Sequence, residues 1–178
     1  MTEGILYNGK KFPEYIFTKD VKSYLFIEFD FVFDKGFWAI FKFFLKENKI
    51  QTFIVENLRP EIEFIASVEV ANLPKSFIEA TNTSNIGGYL PSKESLYLIT
   101  SETVIYSSDN KQLFCILIDR EYDLAILGFS DLIYADVVEG LDIKDVSDYL
   151  TLCFGGKGLP SRLKESLHQN WGLPPSQF

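Results

Sequence analysis

The sequence predicts an α+β domain: a mainly antiparallel sheet carrying a central β-meander, with helices packed on it and two more at the C-terminus. Three observations lead there. The runs TVIYSS, QLFCILI and LAILGF follow one another across short polar breaks, as strands of a meander do. Amphipathic stretches at 35–49 and 160–171 repeat their apolar residues at helical spacing. No Pro/Gly/Ser-rich linker, repeat or low-complexity tract divides the 178 residues, so one domain is expected over 1–178.

Taken in order, Lys11 to Thr18 and Tyr24 to Phe33 read as two strands joined near Lys19–Asp20. In the second, Leu25, Ile27, Phe29, Phe31 and Phe33 fall on one face, with Glu28 and Asp30 on the other. Asp34 caps a helix to about Lys49, whose apolar stripe is Phe37, Ile40, Phe41, Phe44 and Leu45. Gln51–Glu56 and Glu61–Val70 read as strands, the latter with Ile62, Phe64, Ala66, Val68 and Val70 on one side. A short helix begins at Pro74, since proline fits the first helical position. Residues 81–92 are a loop rich in turn residues. SLYLIT then opens the β-rich region, before TVIYSS, QLFCILI and LAILGF. Asp142 caps a helix that buries Ile143, Val146, Leu150 and Cys153 and stops at Gly155–Gly156. The last helix runs from Pro160 to about Trp171 and is closed by Gly172.

Composition excludes several function classes. Hydrophobic residues make up 47% of the chain, which fits a packed core and not a disordered segment. The densest apolar run, FWAIFKFFL, is interrupted by Lys42 and too short to cross a bilayer. The N-terminus has an early acid and no apolar h-region, so no signal peptide is expected and the chain reads as cytoplasmic. Cys115 and Cys153 sit in apolar surroundings and read as buried thiols in a reducing compartment. One histidine, His168, cannot supply a histidine-based metal site. CFGGKGLPS (153–161) lacks P-loop spacing and reads as a helix stop followed by a helix start. No cofactor is expected.

Charge is the distinctive property. The chain carries a net charge of −8, and residues 119–148 hold nine acids against two bases. Such a surface attracts basic partners and repels nucleic acid and anionic membranes. Asp142, Asp145 and Asp148 have a local explanation, because acids at a helix N-terminus stabilise it by about 0.3–1 kcal/mol. Glu28, Asp30 and Asp34 read as the wet side of a strand and the turn after it. The unexplained acids are at the hairpin connection Asp119, Arg120, Glu121, Tyr122, Asp123, and at Asp131, Asp136 and Glu139 after it. Recognition residues concentrate on loops held by rigid strands, so these residues form the candidate partner-binding set, with Tyr122 and Tyr134 as aromatic anchors.

The segment FCILIDREYDLAILGF (114–129), with the chain's size, acidity and lack of catalytic motifs, resembles small acidic immunity proteins. These belong to bacterial contact-dependent inhibition and other polymorphic toxin systems. The resemblance implies tight binding to a cognate basic toxin domain, often a nuclease, with its active site occluded. It assigns no role to any single residue. Two other classes stay open: a carboxylate-based hydrolase, divalent-metal-dependent or not, drawing on Glu28, Asp30, Asp119 and Glu121, and an adaptor that binds a peptide along a sheet edge.

Overall fold

A computed structural model of the chain describes residues 10–18, 21–58, 64–81, 102–108, 113–130 and 160–172. Among the described residues six strands form one sheet: β1 (Ser23–Glu28), β2 (Thr52–Asn57), β3 (Ile65–Glu69), β4 (Glu102–Ser107), β5 (Phe114–Asp119) and β6 (Leu124–Phe129). Their order is β1-β6-β5-β4-β2-β3, and every neighbouring pair is antiparallel. The α+β class stands, with β4-β5-β6 as the meander. The strand expected at 95–100, the helix expected from Asp142 to Cys153 and most of the loops expected at 81–92 and 153–161 lie outside the described residues.

The central strands are covered on both faces. One face packs on α1 (Phe29–Val32), α2 (Lys35–Glu47) and α3 (Lys75–Thr81). Phe114, Ile116 and Ile118 of β5, with Ala125, Leu127 and Phe129 of β6, point into this layer. The other face packs on the segment before β1 and on α4 (Ser161–Trp171). Cys115, Leu117, Leu124 and Ile126 meet Phe12, Ile16, Phe17, Leu163, Leu167 and Trp171 there. Two-sided burial explains why β5 and β6 are written as unbroken apolar runs instead of alternating ones.

Two expected strands differ from what forms. Lys11–Thr18 is not a strand. Pro13 cannot donate to a ladder, and Glu14 N–H turns back to the Lys11 carbonyl at 2.8 Å. The segment instead lies across the sheet and inserts side chains into it. Phe17 presses on Gly128, where an added Cβ would stand 2.7 Å from two ring carbons. The strand expected to reach Phe33 stops at Glu28. Its partner β6 begins at Leu124, opposite Glu28, so no ladder continues beyond that pair. Phe29 N–H bonds to the Asp123 carbonyl at 3.2 Å, and the chain turns into α1, burying Phe29 and Val32.

The helices follow their patterns. Asp34 caps α2 by accepting from Gly36 N–H. Phe37, Phe41, Phe44 and Leu45 are buried as expected, Ile40 is half-buried, and Trp38 joins them, with its indole N–H bonded to the Val32 carbonyl at 2.8 Å. α4 ends at Gly172, which takes the left-handed conformation of a helix stop. Tyr24 O–H donates to the Trp171 carbonyl, and Trp171 N–H donates to the Pro13 carbonyl at 3.0 Å, which fixes α4 against the sheet.

Candidate functional site

The β5–β6 hairpin is tighter than expected. Asp119 is the last residue of β5 and pairs with Leu124, leaving four residues in the turn. Asp119 is 3% exposed and belongs to the inside of the hairpin, not to a projecting tip. Its Oδ1 accepts from Glu121 N–H at 2.9 Å and Tyr122 N–H at 3.3 Å, so the carboxylate closes the turn from within. Asp123 then sits at φ 53°, the left-handed region that aspartate tolerates better than most residues. Burial raises Asp119 to about 6; the two backbone N–H groups oppose this, and the charges of Glu102 and Glu121 add to it.

The other turn residues face solvent in different ways. Arg120 is exposed, with its guanidinium carbon 6.0 Å from the centre of the Phe29 ring. Glu121 and Asp123 are exposed. Partial burial raises the Asp123 carboxyl, Asp30 pushes the same way, and Arg120 pulls it back. Tyr122 is half-buried, edge-on to Phe12 with ring centres 4.8 Å apart. Burial raises its hydroxyl, with Glu121 and Asp119 adding to the effect. Asp131, Tyr134, Asp136 and Glu139 lie outside the described residues.

Strand register adds acids that the sequence did not place at this site. Glu28, Leu124, Asp119 and Glu102 are successive cross-strand partners and share one face. Neighbouring strands are about 4.8 Å apart, so Glu28 stands about 10 Å from Asp119. Glu102 is paired with Lys11, Nζ to Oε1 at 3.3 Å. One end of the sheet therefore gathers Glu28, Asp30, Glu102, Asp119, Glu121 and Asp123 against Lys11 and Arg120. Lys22 and Lys49 lie at the opposite end, just before β1 and β2. The signal for Glu28 and Asp30 was visible as alternation on a strand. Nothing local announced Glu102, whose place depends on pairing between β4 and β5.

A groove of about 360 Å³ runs beside the hairpin, between Pro13, Tyr122, Pro160 and Leu163, with Glu121 on one wall and Arg162 on the other. Among the described residues that line it, Glu121 is the one carboxylate. Among the described residues no cluster of three or more acidic, histidine or cysteine side chains has a metal-binding arrangement. Cys115 is 1% exposed, and burial pushes its thiol well above the usual range, which removes it as a nucleophile. His168 is exposed in the last turn of α4. No helix among the described residues is long and apolar enough to cross a membrane. Comparison with protein-family models, curated proteins and solved structures finds no match to this chain.

Proposed function

We propose that this chain is a non-catalytic acidic binding protein, an immunity protein that neutralises a cognate basic toxin domain in the bacterial cytoplasm by occluding its active site. The observation that carries the reading is the acid-rich end of the sheet. Glu28, Asp30, Glu121 and Asp123 are exposed there on rigid supports: a strand end, a helical turn and a tight hairpin. Fixed surface charge of one sign raises encounter rates with a basic partner. Tyr122, half-buried and held by Phe12, supplies an aromatic contact at the same place. The hydrolase alternative needs two carboxylates across a cleft, and among the described residues the groove beside the hairpin is lined by one, Glu121.

The test is to look for a strongly basic protein encoded beside this gene and to measure its association kinetics with this chain; absence of any such association would count against the reading. Charge reversal by Glu121→Lys and Asp123→Lys together should slow association about tenfold or more at low salt and flatten its salt dependence. Unchanged low-salt kinetics would remove this surface from the interface. Turnover of a generic ester or glycoside by the isolated chain would remove the reading itself.

A further inference from the structure

Among the described strands the two edges of the sheet are β1 and β3, and β3 is built differently from a protected edge. Asn57 N–H bonds to the Phe64 carbonyl at 3.0 Å, and Val70 N–H to the Gln51 carbonyl at 2.9 Å. In an antiparallel ladder this fixes the phase. Ala66 and Val68 direct their main-chain groups to β2, whereas Ile65, Ser67 and Glu69 direct theirs outward. The outward carbonyl of Glu69 is taken by Ser76 Oγ at 2.7 Å. The outward N–H and C=O of Ile65 and Ser67 bond to no protein group among the described residues. The strand holds no proline and no lysine, the usual guards of an open edge, and Ile65 is 63% exposed.

Beside this edge lies a groove of about 520 Å³, bounded by Ser67 and Glu69 on the strand and by Lys75, Glu79 and Ala80 on α3. Its charges are unequal. Lys75 pairs with Glu79 at 3.4 Å, and among the described residues Glu69 accepts from the Asn72 amide at 2.8 Å and meets no cation. We propose that the β3 edge and the groove beside α3 take an extended segment of a partner protein as a seventh strand, one that carries a basic and an apolar residue four positions apart and so on the same face. Backbone groups of Ile65 and Ser67 supply the ladder bonds, Ile65 an apolar cross-strand contact, and Glu69 a carboxylate for a lysine or arginine. A second copy of this chain is the poorer occupant. Each copy carries a net charge of −8, and a two-fold pairing centred on Ser67 sets Glu69 against Ile65.

This site is separate from the acid-rich end and does not rest on the immunity reading. The probe is a capped heptapeptide, Thr-Lys-Thr-Thr-Thr-Val-Thr, whose lysine and valine fall opposite Glu69 and Ile65 in an antiparallel pairing, added to isotope-labelled protein and followed by amide NMR. The Ile65 and Ser67 amide signals should shift and become protected from exchange. Ser67→Pro removes an outward N–H without touching the β2 ladder, so it should weaken binding about tenfold or more. A peptide methylated on alternate amide nitrogens tests the same ladder on the unaltered protein and should not bind. Glu121→Lys with Asp123→Lys should leave the Ile65 and Ser67 shifts intact, which separates this site from the other. Absence of those shifts, or equal binding of the methylated peptide or of one with glutamate in place of lysine, would overturn the proposal. Dimerisation abolished by Ser67→Pro would instead assign the edge to a second copy.

Discussion

Asp119→Asn should make this protein more stable at neutral pH, and the size of the gain is fixed by where the carboxyl sits. Asp119 is 3% exposed, and burial lifts it from 3.8 to about 6. The folded chain thus holds its proton more tightly than the unfolded chain does. Stability contributed by this group is greatest below about 4, falls as pH rises towards 6, and is lost above that. At 1.36 kcal/mol for each pH unit, the folded state at pH 7.5 carries a penalty of about 3 kcal/mol. Asparagine keeps the Oδ1 that accepts from Glu121 and Tyr122 N–H and removes the charge. Urea unfolding of both proteins between pH 4 and pH 7.5 measures the difference. The variant should gain up to about 3 kcal/mol at pH 7.5 and match the parent near pH 4. Asp119→Ala is the control, since it leaves two N–H groups of the turn without their acceptor and should lose about 1–3 kcal/mol relative to Asp119→Asn at every pH. A gap between parent and Asp119→Asn that does not change with pH would refute the reasoning.

Two further expectations concern the second core layer. Gly128→Ala should destabilise by about 1–3 kcal/mol, because its Cβ would meet the fully buried Phe17 ring at 2.7 Å, and Phe17→Leu should recover part of that loss; chemical unfolding of the two single variants and the double variant decides it. With Cys153 replaced by serine, Cys115 should resist a thiol reagent in the folded protein and react once unfolded; rapid labelling under native conditions would contradict its burial.

Local pattern made much of the fold legible. α2 and α4 carry helical stripes with an Asp34 cap and a Gly172 stop, and β2 to β6 each carry a strand signature. What could not be read locally depends on partners distant in sequence. Phe29, Phe31 and Phe33 alternate like a strand, yet β6 begins at Leu124, and past it Phe29 N–H takes the Asp123 carbonyl before the chain turns into α1. Phe12, Ile16 and Phe17 look like strand residues and instead cover β6 and α4. At the candidate site the sequence located the charged turn. It could not tell that Asp119 points inward, because Asp119, Glu121 and Asp123 look alike until the turn closes. Nor could it bring Glu102 and Lys11 to the same end, since that depends on how β4 pairs with β5 and where the N-terminal segment lies.

The pairing of β1 with β6 sets an order of assembly. Ser23 pairs with Phe129, so the first described strand to leave the ribosome waits for the last described one. At typical synthesis rates that wait is roughly 5–20 s. The β2–β3 pair, with α2 and α3 beside it, has its contacts close in sequence and is free to form meanwhile. During that interval the apolar residues of β1 have no strand beside them. A nascent chain arrested before residue 124 should therefore show a folded β2–β3–α3 region together with an N-terminal segment open to protease.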